Sequence, residues 1–359
     1  MSLNHSIALD AMGGDKGPME VIEGVYLALQ SFPALTPLIL VGDEAILNPL
    51  LTKRGLLGHA KLRVHHASQV VGMDEKPIQS MKQKKDASMF RAIDLVKDGH
   101  AAVAISQGNT GSLMAASTLK LRPLQGFQRP ALGTIWPGRN CHFVLIDAGA
   151  NPEAKPEHLV HNALLGSHYA RLALKVNQPR VGLLTIGTEE GKGNELIHKT
   201  HQYLKQMDGI LNYIGPIEGF DVFNDAADVV VCDGFLGNVV LKTCESLFQM
   251  IMDTLKGELT RSWNRQLGAL LAKPAFNAAK MHLNPDNYAG APLLGLKGHV
   301  LKTHGCSTRE AWLNAIRIAL DIVHYDLNDR LLKEIEQVNH RILAFDTAVV
   351  IDSSSDLMD

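Results

Sequence analysis

The sequence predicts an α/β fold on a doubly wound, mostly parallel sheet, and three observations predict it. Short apolar runs alternate with amphipathic helical stretches along the chain. Several runs are apolar throughout, as expected of central parallel strands covered on both faces. Glycine-rich turns close them, at the strand ends where sheets of this class hold ligands.

Residues 6–10 read as the first strand, ending in a glycine turn, and a helix over about 19–29 follows with Val21, Ile22, Val25 and Leu29 on one face. Residues 38–41 form a second short apolar strand, closed by Gly42-Asp43. Further strands are expected at 103–105, 143–146, 181–186 and 229–232, with helices between them at 87–97, 159–174 and 194–207. Residues 1–340 read as a single domain, including a helical segment at about 245–280. Residues 341–359 read as a tail, polar and acidic from Asp352 onward.

Composition narrows the function. The 359 residues are 46% hydrophobic and 20% charged, the balance of a globular enzyme with ample core material. A net charge of −2 lacks the basic excess of an obligate nucleic-acid binder. Cys141, Cys232, Cys244 and Cys306 form no CxxC pair and no zinc spacing; with no secretory leader, a cytoplasmic setting is expected. No apolar run reaches the roughly 20 residues of a spanning helix.

Four loops follow predicted strands: Asp10-Ala11-Met12-Gly13-Gly14-Asp15, Ser106-Gln107-Gly108-Asn109-Thr110-Gly111, Asp147-Ala148-Gly149-Ala150-Asn151 and Asp233-Gly234-Phe235-Leu236-Gly237-Asn238. Glycine permits close backbone approach, and successive N–H groups at a helix start bind anions. Any one such loop is commonly just a tight turn, whereas four in one chain point to a shared ligand site. A fifth segment, Gly187-Thr188-Glu189-Glu190-Gly191-Lys192-Gly193-Asn194, resembles a nucleotide P-loop but is one residue short. Gly193 also stands where the magnesium-binding Ser or Thr belongs, so ATP hydrolysis is disfavoured. A lysine amid glycines ahead of a helix instead suits a phosphate. His158/His161 and His198/His201 lack a third ligand, and no G-x-S-x-G elbow is present, so neither a metal, a cofactor nor a covalent serine is expected.

These loops, in this order, resemble the acyl-acyl carrier protein:phosphate acyltransferase family, often called PlsX. Matching blocks are residues 8–15, Gly108-Asn109-Thr110-Gly111, residues 147–151, Lys192-Gly193-Asn194 and residues 231–242. His282-Leu283-Asn284-Pro285-Asp286-x-Tyr288, residues 290–295 and His304-Gly305 complete the series, which runs from about residue 6 to 325. Gln107 and Thr188 depart from the common pattern near the presumed site.

The resemblance implies a three-layer α/β/α sandwich related to phosphotransacetylase and isopropylmalate dehydrogenase-like folds, working as a homodimer. It implies acyl transfer from acyl carrier protein to inorganic phosphate, giving acyl phosphate for a membrane glycerol-3-phosphate acyltransferase. On that basis Lys192 and Asn238 are the expected catalytic residues. Lys192 with the N–H groups of Gly191 and Gly193 would hold phosphate, and Asn238 with Gly237 would stabilise the oxyanion. Asp10, Gly13, Gly14, Asp15, Gly108, Asn109, Thr110, Gly111, Asp147, Asn151, Asn194 and Asp233 complete the expected phosphate and substrate set. Asn238 has a second reading, as the cap of a helix beginning near Val239.

An acidic carrier protein needs a basic docking face. Two clusters offer one, Lys76, Lys82, Lys84, Lys85 and Arg91, and Lys256, Arg261, Arg265 and Lys273; each reads equally as a solvated helix face. Within 255–276, Leu255, Leu259, Trp263, Leu267, Leu270 and Leu271 fall near helical spacing. That stripe fits a peripheral membrane contact or a dimer mate. The rival functions are a phosphate acetyl- or butyryltransferase using acyl-coenzyme A, and a non-catalytic scaffold that binds carrier protein at the membrane.

Overall fold

The computed structural model describes residues 5–189, 192–283 and 290–355. The first half of the chain lays down β1 (Ile7–Asp10), α1 (Pro18–Ser31), β2 (Leu38–Gly42), α2 (Glu44–Arg54) and β3 (Leu62–His66). Next come α3 (Pro77–Gln83), α4 (Ser88–Lys97), β4 (Val103–Ser106), α5 (Thr110–Leu121), β5 (Ala131–Pro137) and β6 (His142–Ile146). The second half continues with α6 (Pro156–Ala173), β7 (Arg180–Thr185), α7 (Glu195–Lys205), β8 (Asn212–Glu218) and β9 (Val229–Val231). Three helices follow, α8 (Gly234–Thr260), α9 (Trp263–Leu271) and α10 (Lys273–Leu283). The hairpin strands β10 (Ala291–Leu294) and β11 (His299–Lys302) lead into α11 (Arg309–Tyr325) and α12 (Leu327–Ser355).

All eleven strands share one sheet, ordered β3-β2-β1-β4-β11-β10-β5-β6-β9-β7-β8. Most neighbours are parallel, as the apolar runs predict, and β1, β4 and β9 are buried along their whole length. β10 runs antiparallel to both β11 and β5, and β5 antiparallel to β6. Those three reversals leave the block from β3 to β11 pointing against the block from β6 to β8.

One face of the sheet carries the large core, in which α1, α2, α6, α7, α11 and α12 bury residues such as Val25, Leu51, Leu164, Leu204, Trp312 and Leu331. The opposite face is covered by α4 and α5 over one block and by the start of α8 over the other. The molecule is thus a three-layer α/β/α sandwich, as expected.

Predicted strands and helices agree with the observed ones to within three residues at each end. Strands β3, β5, β8, β10 and β11 are additions. The stripe at 255–276 is corrected: it is no single helix, because Ser262 adopts an extended conformation between α8 and α9. The boundary at residue 340 also falls inside α12, where Ile342 is buried and Phe345 packs on the core.

Candidate functional site

The turns after β1 and β4 are built around one carboxylate. Asp10 is fully buried and accepts from Ser88 Oγ and Ser106 Oγ at 2.6 Å each, and from the N–H groups of Met12 and Gly13 at 3.3 and 3.2 Å. With its lone pairs so used, it orders the turn rather than meeting a ligand directly. Gly14 sits at φ +85°, against Gln107 and the Gly305 carbonyl, where a side chain would be both strained and blocked. The Asp15 N–H donates to that same carbonyl at 2.8 Å, tying the β1 turn to the turn after β11. Gln107, a departure from the family pattern, is a buried brace: its amide donates to the Gly13 carbonyl and accepts from Trp312 Nε1.

Asn109 caps α5 by accepting from the Ser112 N–H at 2.8 Å, and its amide donates to the Met73 and Glu75 carbonyls. Its side chain is therefore engaged in loop structure, a correction to its expected place in the phosphate cradle. Thr110 and Gly111 form the exposed first turn of α5, beside Gly108.

On the other block, Asp147 does for the β6 turn what Asp10 does for β1. Its buried carboxylate accepts from the backbone of Leu132, Gly149, Ala150 and Asn151 at 2.7–3.0 Å. Burial pushes its carboxyl above the usual range, and those donors oppose the shift. The Asn151 side-chain amide donates to the Asp147 carboxylate at 3.1 Å, and the Asn151 backbone carbonyl accepts from the Gly234 N–H at 2.9 Å. The start of α8 is pressed onto this turn. A Cβ on Gly237 would lie 1.8 Å from the Asp147 carbonyl oxygen, so only glycine fits.

Two expected roles change here. Asp233 caps α8 by accepting from the Leu236 N–H at 2.8 Å, so the helix starts at Gly234 and Asn238 is not its cap. The Gly237 N–H donates to the Asp233 carbonyl at 2.9 Å, which removes it from the oxyanion role. Asn238 is exposed beside Gly149, whose built Cβ would meet its side chain at 3.4 Å, and no described hydrogen bond engages its amide.

β7 ends in the third turn. Asn194 caps α7 through the Ile197 N–H at 3.0 Å, again a structural use of an expected ligand residue. Lys192 is exposed, its stem lies beside Gly187, and among the described residues no carboxylate pairs with it. The Thr185 hydroxyl is buried next to Gly193, with no partner among the described residues. Gly191 lies outside the described residues, as do Asn284 to Tyr288 of the quoted motif.

The expected residues thus form two sets. Asp10 to Asp15 and Gly108 to Gly111 leave one edge of the sheet; Asp147, Asn151, Lys192, Asn194, Asp233, Gly237 and Asn238 leave the other, from neighbouring parallel strands β6, β9 and β7. α8 connects them. From Asn238 to Glu245 it rises about 10 Å, and Glu245 reaches His304 at 3.4 Å beside the first set. Lys302 was not foreseen: it lines a cavity with Leu241, Glu245, Trp136 and His304, and a single lysine ending a short strand carries no sequence signal.

The basic clusters are partly neutralised. Lys84 pairs with Glu75, Arg91 with Asp86, and Arg261 and Arg265 with Glu258. His158, His161 and His201 bond Gln128, Asn339 and Tyr213.

Residues 5–330 match the family described as fatty acid synthesis protein. A relative from Syntrophotalea carbinolica, named phosphate acyltransferase, is 42% identical over 333 residues, covering 93% of this chain and 94% of its own. Another of that name, from Campylobacter lari, is 43% identical over 332 residues, covering 92% and 98%. Among solved structures, a phosphotransacetylase from Streptococcus pyogenes superposes with a TM-score of 0.60 at 17% identity, over 90% of this chain and 95% of that one. A branched-chain phosphotransacylase from Enterococcus faecalis gives 0.56 at 15%, over 89% and 99%, and both share the fold. The chain belongs to the fatty acid synthesis protein family whose curated members are named phosphate acyltransferases, the PlsX family.

Proposed function

We propose that this acyltransferase moves a fatty acyl group from an acyl carrier protein thioester to inorganic phosphate, releasing acyl phosphate for phospholipid synthesis. The observation that carries the reading is the family match over residues 5–330, joined to a lysine and an asparagine amide on neighbouring turns that no described residue engages. A phosphate oxygen attacks the thioester carbonyl; the tetrahedral oxyanion collapses, the C–S bond breaks, and the carrier's thiolate leaves. Phosphate is itself the nucleophile, so no covalent enzyme intermediate is required.

Lys192 offsets the repulsion between the dianion and the developing oxyanion, and the Thr185 hydroxyl lies close enough to Gly193 to share the phosphate. The Asn238 amide donates to the oxyanion from the first turns of α8, where the helix dipole also favours negative charge. The Asp147 turn fixes that helix start through Gly237.

The carrier protein docks on the cations left unpaired in the two basic clusters, Lys76, Lys82 and Lys85 among them. Exposed Leu247, Met250, Ile251, Trp263, Leu267, Leu270 and Leu271 form an apolar surface along α8 and α9, which supports peripheral membrane contact near the acyltransferase that consumes the product. Dimerisation is the competing use of this surface.

The test is phosphate-dependent release of carrier protein from palmitoyl-acyl carrier protein, with palmitoyl-coenzyme A in parallel. Turnover that requires phosphate and favours the carrier protein supports the reading. Preference for short acyl-coenzyme A replaces it with phosphotransacetylase chemistry, and binding without turnover replaces it with the scaffold.

A further inference from the structure

The turn after β1 leaves one backbone donor unspent. Ala11 donates to the Val41 carbonyl at 3.0 Å, and the N–H groups of Met12 and Gly13 go to the Asp10 carboxylate. The Asp15 N–H goes to the Gly305 carbonyl at 2.8 Å. Between them stands the half-buried Gly14, and among the described residues no hydrogen bond engages its N–H.

The direction of that N–H is fixed from the other side of the same peptide group. The Gly13 carbonyl accepts from Gln107 Nε2, and the Gly13–Gly14 bond is trans. The C=O and N–H of a trans peptide point opposite ways. Gln107 is fully buried, so it draws the carbonyl into the core and turns the Gly14 N–H away from it.

Gln107 is itself held. Its Oε1 accepts from Trp312 Nε1 at 3.2 Å, and an indole N–H only donates, so Nε2 is the end left to face Gly13. Its stem lies against Gly14, where a built Cβ would come within 2.6 Å of its Cγ and Cδ. Trp312 is fully buried in turn, and it presses on α1 so closely that a Cβ on Gly24 would lie 2.4 Å from its own Cβ. Two packed side chains from α11 and the β4 turn thus set one peptide plane in the β1 turn.

We propose that Gln107, locked by Trp312, is a positioning residue for acyl transfer, which holds the Gly13–Gly14 peptide so that the Gly14 N–H is a fixed donor to a substrate oxygen. The oxygen belongs to phosphate or to the acyl donor, and the choice of these two substrates rests on the acyltransferase reading above. A donor oriented in advance need not be reordered when substrate arrives, so its benefit falls on binding.

The experiment measures KM and kcat for inorganic phosphate and for palmitoyl-acyl carrier protein in Gln107→Leu and Trp312→Phe, with urea unfolding reporting stability. Gln107→Leu removes both hydrogen bonds at similar volume. It is expected to raise KM for at least one substrate about tenfold with kcat within about twofold, and the substrate affected names the oxygen. Trp312→Phe keeps a ring and removes the donor that orients the amide, so it is expected to move the same KM in the same direction. If Gln107→Leu fails to fold, Trp312→Phe decides by that criterion. Lowered stability with both KM values unmoved reduces Gln107 to a core residue and overturns the role, as does a fall in kcat alone. Calorimetry with the same two ligands separates the two ideas. Normal turnover with unmoved KM keeps the function and loses the positioning role. A protein that binds a ligand without turning it over, and binds it more weakly as Gln107→Leu, loses the function and keeps the oriented donor.

Discussion

At the residue scale, two buried aspartates and one glycine shape the loops beside which Lys192 and Asn238 stand exposed. Asp10 and Asp147 each spend their oxygens on backbone and hydroxyl donors, a fixed arrangement that holds a turn without presenting charge to a ligand. Gly237→Ala pushes a methyl group into the Asp147 carbonyl, so it is expected to destabilise the fold by about 3 kcal/mol or more in urea unfolding and to separate α8 from its turn. A near-neutral result would show that this contact relaxes freely. Lys192→Ala and Asn238→Ala remove exposed side chains and should leave stability within about 0.5 kcal/mol. Their turnover is expected to fall by about 10²- to 10³-fold each; a well-folded variant with full activity removes that residue from the mechanism.

At the scale of elements, α8 to α10 stand apart from the rest. α8 buries only Gly234 and Gly237, and α9 buries nothing, although both carry leucines, methionine or tryptophan at the surface. An uncovered apolar face of this kind marks a candidate contact surface for lipid or protein. Leu270→Ser with Leu271→Ser is expected to weaken sedimentation with anionic vesicles at least tenfold while the oligomeric state in solution is unchanged. A change of oligomeric state with vesicle binding intact assigns the surface to a second copy of the chain instead. α12 has the opposite character. It lies mostly beyond the family match, yet Leu331, Ile335, Val338 and Ile342 are buried, and Glu334, Asn339 and Asp346 meet His168, His161 and Tyr203. Its polar surface residues made residues 341–359 read as a tail; only the docking against α6 and α7 shows that the helix continues past residue 340.

At the scale of the whole molecule, buried imidazoles set the acid limit. Desolvation pushes His299 down to about 4 and also lowers His142, His158, His161 and His201. Each folded pKa lies below the unfolded value, so the associated stability is complete above pH 6.5 and is lost as pH falls towards 4. His299 alone is expected to contribute about 3 kcal/mol to that loss, an upper figure for a side chain so placed. Urea midpoints measured from pH 7 to 4 check it: a flat profile, or an equal slope in His299→Gln, contradicts the assignment.

Sequence alone determined the fold class, the positions of the central strands and the glycine-rich turns that close them. Those depend on local signals, namely continuous apolar runs, helical periodicity and glycines beside Asp and Asn. It also brought out Lys192 and Asn238, whose neighbours in the chain make them conspicuous. Tertiary structure decided which expected ligands are spent on structure. Asn109, Asn194 and Asp233 have the composition of ligand residues, but hydrogen bonds to helix N–H groups three residues on consume them. It also decided that the loops divide between two edges, since the reversals at β10 and β5 depend on strand pairing across distant segments. Lys302 became visible only there, because its place on a cavity with Leu241, Glu245 and His304 is a property of its surroundings rather than of its place in the chain.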